Sequence, residues 1–149
     1  MSLLQGGDAG EDGAGIRCGR GASPRLNQNC ITGNRALGRD ARGGGIACLD
    51  GANPVIANNR IEGNEATEGG GIYVGKRRGW ASSPAIAANM IVRNVARGGG
   101  GGVAVAFGSE PHLVENIIAW NLARGGGGGL LVQRSTPRIA ENVVWANVD

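Results

Sequence analysis

Aromatic residues, histidine and long apolar runs are scarce in this sequence. The 149 residues include three Trp, one Tyr, one Phe and one His. One His and three Cys, without a Cys-x-x-Cys pair, do not make a usual zinc ligand set, so we expect no metal and no cofactor. No apolar run approaches the roughly 18 residues of a membrane span, and residues 1–10 lack the regions of a signal peptide. We therefore expect no membrane insertion.

Glycine, in contrast, is abundant. The chain has 30 Gly, and 41% of its residues are hydrophobic while 18% are charged. This apolar content is too high for a disordered tract. The glycines come in clumps rather than at every third position, which excludes collagen. The formal net charge of +3 is small and the Lys and Arg residues are scattered, so we expect no nucleic-acid partner.

Five prolines reveal an internal repeat. They stand at positions 24, 54, 84, 111 and 137, at spacings of 30, 30, 27 and 26 residues, which are typical of stacked repeat units. An aliphatic residue follows each proline after two and after seven positions, and Asn follows after five and after ten. The two asparagine columns are Asn29, Asn59, Asn89, Asn116 and Asn142, and then Asn34, Asn64, Asn94, Asn121 and Asn147.

Each repeat holds three short aliphatic stretches of period two, separated by Asn or Gly turns. This pattern predicts an all-β fold, a parallel solenoid of about five coils with three strands per coil. We expect an N-terminal segment at 1–12 and a single solenoid domain at 13–149, with coils starting near 13, 43, 69, 98 and 125. The asparagines are expected to form structural ladders, and the Gly runs to form tight corners.

The Gly-Gly-Gly-Ile and Ile-x-x-Asn elements of units 43–66 and 69–96 resemble the right-handed parallel β-helix repeats of the pectin lyase-like superfamily. They are also similar to repeats of polymorphic outer-membrane autotransporters and of other bacterial surface proteins. The resemblance covers about residues 13–148. It implies a right-handed coil of three parallel sheets, and it says little about activity because the matching positions are core and turn positions. We expect an extracellular or cell-surface location.

Enzymes with this fold usually depolymerise acidic or neutral polysaccharides, using carboxylates and basic residues on one outward face. Glu115 and Glu141 lie four residues after their prolines in adjacent coils, and His112 and Arg138 lie one residue after. Two carboxylates about 5 Å apart would suit a retaining glycosidase. The same positions also suit solvated turn residues, because the column continues with uncharged residues in earlier coils. A polysaccharide lyase or glycoside hydrolase, or a fragment of one, is therefore the alternative interpretation.

A basic loop offers a second candidate site. Lys76, Arg77 and Arg78 are followed by Trp80, and this combination of cations with an aromatic ring could bind an acidic polymer or a sugar ring. An ordinary solvated loop is the simpler alternative.

Outward-facing columns of the predicted sheets become apolar toward the C-terminus. Flat apolar faces of this kind are often covered by another surface, although scattered exposed apolar residues are the alternative. The candidate interface residues are Tyr73, Ala104 and Leu131 on one sheet and Met90, Ile117 and Val143 on another.

Cys18 and Cys48 occupy one inward column in adjacent coils, where a Cα separation of about 5 Å falls within disulfide range. They either form a disulfide or remain small buried thiols. The second interpretation is favoured, because Val takes the same position in later coils.

Neither end of the repeat carries a convincing capping segment, and an uncapped solenoid exposes unpaired backbone. We therefore expect either a longer β-helix or a homo-oligomer, with end-to-end stacking giving a filament. The favoured function is a non-enzymatic structural or interaction solenoid that self-associates or binds a polysaccharide.

Overall fold

A computed structural model describes residues 2–149, which form 21 short strands in four parallel sheets. Each coil passes in turn through sheets C, D, A and B. Sheet C contains β3 (Ile16–Cys18), β7 (Ile46–Cys48), β11 (Ile72–Val74), β15 (Val103–Ala106) and β19 (Leu130–Gln133). Sheet D contains β4 (Arg25–Asn27), β8 (Val55–Ala57), β12 (Ala85–Ala87), β16 (His112–Val114) and β20 (Arg138–Ala140).

Sheets A and B complete each coil. Sheet A contains β1 (Ser2–Gln5), β5 (Asn29–Thr32), β9 (Arg60–Glu62), β13 (Met90–Val92), β17 (Ile117–Ala119) and β21 (Val143–Trp145). Sheet B contains the two-residue strands β2 (Asp8–Ala9), β6 (Arg35–Ala36), β10 (Glu65–Ala66), β14 (Val95–Ala96) and β18 (Leu122–Ala123). The predicted parallel solenoid is confirmed, and the short strand of sheet B follows the three predicted strands of each coil. Residues of the predicted N-terminal segment add β1 and β2 to the stack.

The core lies between the sheets and is built from the aliphatic columns of the repeat. Ile61, Ile91 and Ile118 pair in register on neighbouring strands of sheet A, and each is at most 1% exposed. Stacking in register places each inward side chain on its equivalent in the next coil, so the coils together bury apolar surface that one coil could not bury.

The asparagine columns line two corners of the coil. Asn64 is fully buried, and its Nδ2 donates hydrogen bonds to the Oδ1 of Asn94 at 3.0 Å and to the carbonyl of Ile31 at 2.9 Å. Its Oδ1 accepts from the backbone and side-chain nitrogens of Asn34, both at 3.0 Å. Each asparagine therefore supplies the partners that the turning backbone of its neighbours lacks.

The glycine runs allow close approach of the coils where sheet B leads into sheet C. A Cβ on Gly71 would lie 2.6 Å from the carbonyl oxygen of Gly102, and Gly45 faces Gly71 at 2.7 Å in the same way. No side chain fits at this distance, which is why glycine recurs immediately before the strands of sheet C.

Candidate ligand-binding groove on sheet C

The turn between sheets C and D carries the largest irregularity of the repeat. In coils one, two and four this turn contains a residue in the left-handed region, namely Arg20, Asp50 or Phe107 at φ of 52°, 53° and 59°, and a glycine follows each. The third coil has the longer loop 75–83 at the same place. We call residues 75–83 the sheet C loop.

Asp50 anchors the sheet C loop on the turn of the preceding coil. Its Oδ1 accepts hydrogen bonds from the backbone nitrogens of Arg77 at 2.8 Å, Arg78 at 3.0 Å and Gly79 at 2.9 Å. Hydrogen bonds from Arg78 and Gly79 hold the pKa of the Asp50 carboxyl below its usual range. Three consecutive donors on one carboxylate oxygen fix the loop backbone just before Trp80.

The far end of the loop is fixed as well. The hydroxyl of Ser82 donates to the carbonyl of Gly75 at 3.0 Å, which closes the loop on itself, and the backbone nitrogen of Ser82 donates to the Ser109 hydroxyl at 3.2 Å. The backbone nitrogen of Ser83 donates to the Oδ1 of Asn53 at 2.6 Å. The loop is thus a closed excursion held by the coils on both sides.

Arg77 ties the loop to the opposite ends of the sheet C strands. Its guanidinium forms a two-contact ion pair with the Asp12 carboxylate, whose side chain is 1% exposed, and donates to the carbonyl of Asp40 at 3.1 Å. This hydrogen-bonded carboxylate raises the pKa of Arg77. The guanidinium of Arg77 is therefore already paired, and these contacts hold the loop across the outer face of sheet C.

A groove of about 1220 Å³ lies between the loop and the first two coils. Four arginines line it: Arg17 on β3, Arg20 in the following turn, and Arg77 and Arg78 in the loop. None of the ion pairs found among residues 2–149 involves Arg17, Arg20 or Arg78. Their guanidinium groups are available to a ligand.

Trp80 forms one wall of the groove and is 84% exposed. Its Cβ lies 3.5 Å from the position that a Cβ on Gly51 would take. Gly19 and Gly21 also line the groove, and a Cβ added to either glycine would meet at most one atom within 4 Å. An indole so exposed on an anchored loop offers a flat apolar face to a ligand at little ordering cost.

Hydrogen-bond acceptors complete the lining. The carboxylates of Glu11 and Asp50 and the amide of Asn53 lie in the same groove as the arginines. A mixture of fixed donors and acceptors beside an aromatic face suits a ligand that is rich in hydroxyl groups.

The sequence predicted part of this site. Arg77, Arg78 and Trp80 line the groove, but Lys76 does not, and Arg77 is engaged by Asp12. Sequence reasoning missed Arg17, Arg20, Asp50 and Asn53, which come from the first two coils. A signal was present for two of them, because Arg20 and Asp50 both precede a glycine at the turn where the third coil has its insertion.

The predicted carboxylate pair lies at a different corner of the coil, between sheets D and A. Glu115 and Glu141 occupy the left-handed turn position between sheets D and A, each at φ 55°, and both are exposed. His112 and Arg138 are paired in register on β16 and β20. Neither the groove on sheet C nor the smaller pocket lined by Ala106, Phe107, Gln133 and Arg134 includes any of these four residues.

The predicted interface on sheet C requires a correction. Tyr73 and Ala104 are on the outer side as expected, but they are 0% and 3% exposed. They pack with Leu49, Ala47 and Ala106 in a second apolar cluster. The side chain of Arg42 stacks on the Tyr73 ring with its Cζ at 5.2 Å from the centroid, and burial raises the pKa of the tyrosine.

The other predicted interface residues differ in exposure. Leu131 is half-buried, and its Cδ2 lies 2.3 Å from where a Cβ of Gly99 would be. Met90, Ile117 and Val143 are 40%, 41% and 55% exposed on the outer side of sheet A. The apolar column of sheet A is thus open, whereas that of sheet C is largely covered by the protein itself.

Cys18 and Cys48 are neighbours in register on β3 and β7, and both are buried thiols in the structure. Burial raises the pKa of both thiols, most strongly that of Cys48. The disulfide between them stays a prediction.

Among residues 2–149, no cluster of three or more His, Cys, Asp and Glu side chains could hold a metal ion. That same part of the chain has no helix long and apolar enough to cross a membrane.

Comparison with known protein families agrees with the architecture. Residues 7–148 match the family described as right handed beta helix region. The chain belongs to this right-handed β-helix family. The match spans all the coils, so the β-helix is right-handed, as the resemblance to pectin lyase-like repeats implied. Neither a curated protein nor a solved structure matches the sequence. Right-handed β-helices include enzymes and non-enzymes, so the function has to be argued from the groove itself.

Proposed function

We propose that this right-handed β-helix is a non-enzymatic interaction module, at the cell surface or outside the cell, whose groove on sheet C binds a saccharide chain. The observation that carries the proposal is Trp80, which is 84% exposed on a loop that Asp50 and Asp12 hold in place. Most of the apolar surface of this indole is in contact with water. A sugar ring packed on the indole would remove that surface from water, which is favourable.

The charges of the groove favour an acidic saccharide over a neutral one. Arg17, Arg20 and Arg78 present guanidinium donors that match the geometry of a carboxylate or sulfate group. The Glu11 carboxylate and the side-chain amide nitrogen of Asn53 can pair with sugar hydroxyls, since the Oδ1 of Asn53 already accepts from the backbone of Ser83. The groove therefore offers partners both for the acidic groups and for the hydroxyls of an acidic polysaccharide.

Binding of defined oligosaccharides, measured by calorimetry, tests the proposal. Oligogalacturonate and alginate fragments are compared with neutral xylan fragments at low salt and at roughly 0.5 M salt, where surface electrostatic attraction is strongly screened. We expect the acidic oligosaccharides to bind and salt to weaken them. Trp80→Ala should reduce the affinity by about tenfold, which corresponds to about 1.4 kcal/mol. Arg124→Ala, which removes an exposed arginine outside the groove, is the charge control.

A second variant fills the groove instead of removing a contact. Gly19 holds the outward position that Leu49 has in the next coil, its φ is not in the left-handed region, and a Cβ there would meet only the Leu49 carbonyl oxygen at 3.8 Å. Gly19→Gln should therefore leave the melting temperature unchanged and abolish binding. Unchanged affinity in both Gly19→Gln and Trp80→Ala would refute the groove.

The enzyme alternative is tested in the same samples. Pectin, alginate and xylan are incubated with the parent chain and with Glu141→Gln, and new reducing or unsaturated ends are measured. We expect no turnover. Turnover that Glu141→Gln removes would replace the proposed binding function with hydrolysis or elimination at the exposed carboxylate pair of Glu115 and Glu141.

A further inference from the structure

A second, smaller pocket lies at the same turn of the repeat as the groove. It has a volume of about 410 Å³ and is lined by Ala106 and Phe107 of the fourth coil and by Gln133 and Arg134 of the fifth. The register of sheet C makes both pairs the repeat equivalents of residues 19–20, which line the groove in the first coil. We call this cavity the Phe107 pocket. The groove and the Phe107 pocket therefore lie on one edge of the solenoid, between sheets C and D.

The backbone of this edge stacks in the same way at both cavities. The backbone nitrogen of Gly21 donates to the carbonyl of Asp50 at 3.2 Å beside the groove, and that of Gly108 donates to the carbonyl of Arg134 at 2.7 Å beside the Phe107 pocket. The sheet C loop interrupts the edge in the third coil and rejoins it at Ser82, which is hydrogen-bonded to the fourth coil. A ligand that follows the edge thus meets the groove, the loop and the pocket in that order.

The Phe107 pocket repeats the chemistry of the groove. Phe107 is 39% exposed and presents an aromatic ring, as Trp80 does. Arg134 takes part in none of the ion pairs found among residues 2–149, so its guanidinium can donate to an acidic group, as that of Arg20 can. The amide of Gln133 adds a donor and an acceptor. The same combination of aromatic ring, guanidinium and amide suits an acidic sugar in the groove.

Phe107 is positioned by its neighbours. The Cζ of Arg42 lies 5.5 Å from the centroid of the Phe107 ring and 5.2 Å from that of Tyr73, and Arg42 is itself paired with Glu68 at 3.5 Å. The fourth coil has a neighbouring coil on each side within residues 2–149, so the exposure of Phe107 does not come from an end of the stack. A ring fixed in this way can pack on a ligand at little ordering cost.

We propose that the groove and the Phe107 pocket are two subsites for one acidic saccharide chain, which lies along the solenoid axis and crosses the sheet C loop. This inference rests on the proposed saccharide-binding function. Four coil spacings separate the first coil from the fifth, which makes the edge about 19 Å long. A 1,4-linked pyranose unit advances a chain by about one coil spacing, so about five units reach from Arg20 to Arg134. Shorter chains occupy the groove alone.

The side chains of the loop favour this path. After Trp80 the loop continues with the small residues Ala81, Ser82 and Ser83, and Ser82 is fully buried. The loop therefore carries no bulky side chain between its tryptophan and the point where it rejoins the stack. A chain that is stacked on Trp80 can continue over these small residues toward Phe107.

The length of the ligand separates the two subsites. Calorimetry compares oligogalacturonates of three and of six units, of which only the longer can reach both cavities. We expect the hexamer to bind roughly tenfold more tightly than the trimer, or better, because the second contact is made by a chain that is already held at the first.

Two variants assign this gain to the Phe107 pocket. Arg134→Gln and Phe107→Ala should each lower the affinity for the hexamer toward that for the trimer. Both should leave trimer binding unchanged, which shows that the fold and the groove are intact. Trp80→Ala should weaken both ligands. Arg124→Ala, which removes an exposed arginine outside both cavities, should behave as the parent.

The possible negative results differ in meaning. A hexamer that binds no more tightly than the trimer overturns the second subsite and leaves the groove in place. A gain for the hexamer that neither Arg134→Gln nor Phe107→Ala reduces also overturns it. If none of the oligosaccharides binds, the saccharide-binding function itself is refuted, and the second subsite with it.

Discussion

The buried asparagines show why a polar side chain can recur in the core of this protein. Asn59, Asn64, Asn89 and Asn94 are each at most 2% exposed, yet each bonds to the coils on both sides. Burial of an amide is tolerable only when its donors and acceptors are paired. The corner geometry pairs them by stacking identical residues, so the ladder supports each turn of the backbone at the same time.

Replacing one asparagine of a buried column should lower the free energy of unfolding. Asn64→Ala leaves the carbonyl of Ile31 and the backbone nitrogen of Asn34 without their side-chain partner. Each unsatisfied buried group costs about 1–3 kcal/mol, so we expect the free energy of unfolding to fall by about 3 kcal/mol. Urea denaturation measures this change.

The exposed Asn58 gives a matched control. It stands at φ 55° in a turn where the next coil has Ala88 at φ 52°, so Asn58→Ala installs a residue that the repeat already accepts. We expect a loss of about 1 kcal/mol, because Ala tolerates the left-handed region less well than Asn and the exposed hydrogen bond to Asn27 is lost. Equal losses in Asn64→Ala and Asn58→Ala would show that the ladder does not stabilise the fold.

At the level of elements, the sheet C loop is an insertion that is hydrogen-bonded to several other coils. Its contacts reach back to Asp50 and Asn53 in the second coil, to Asp12 near the N-terminus, and forward to Ser109. Loops of this length are usually mobile. Here the backbone donors of the loop are consumed by side chains of other coils, which leaves Trp80 and Arg78 projecting from a fixed base.

The anchoring of the loop should depend on pH. The folded protein lowers the pKa of Asp50, so the anchor is fully present above the usual Asp value of about 3.9 and is lost as pH falls through the lowered value. The amide shifts of Arg77, Arg78 and Gly79, followed by NMR from pH 7 to pH 2, should move together in one transition below that usual value.

Two variants separate the charge of Asp50 from its geometry. Asp50→Asn keeps an acceptor oxygen and a residue type that tolerates φ 53°, so the loop should stay ordered while the transition disappears. Asp50→Ala should disorder the loop at every pH and weaken saccharide binding. Amide shifts of these three residues that titrate unchanged in Asp50→Asn would contradict the assignment.

For the whole molecule, stability should vary along the stack because each coil contacts only its neighbours. The inward side chains of the middle coils are fully buried, whereas Ile139 and Val144 in the last coil are each 50% exposed. The outermost coil has a neighbour on one side only in residues 2–149, so its apolar side chains bury less surface.

This gradient predicts position-dependent costs for the same kind of truncation. Ile91→Ala, at 0% exposure in the third coil, should destabilise the protein by about 3 kcal/mol or more. Val144→Ala, on the equivalent strand of the last coil, should cost less than about 1 kcal/mol, since half of the side chain is exposed. Thermal unfolding measures both. Similar costs at the two sites would mean that the last coil is as tightly packed as the middle.

The sequence by itself determined the solenoid, its strand columns and its asparagine corners, because repeated residues at fixed spacing stack on themselves and leave little choice of register. Ile61, Ile91 and Asn64 lie where the repeat predicts. The tertiary structure alone decided the groove and the burial of Tyr73. These depend on pairs with no periodic relation, such as Arg77 with Asp12, which are 65 residues apart. A repeat pattern specifies what stacks on the next coil, but a loop that folds across several coils selects its partners by side-chain reach and charge.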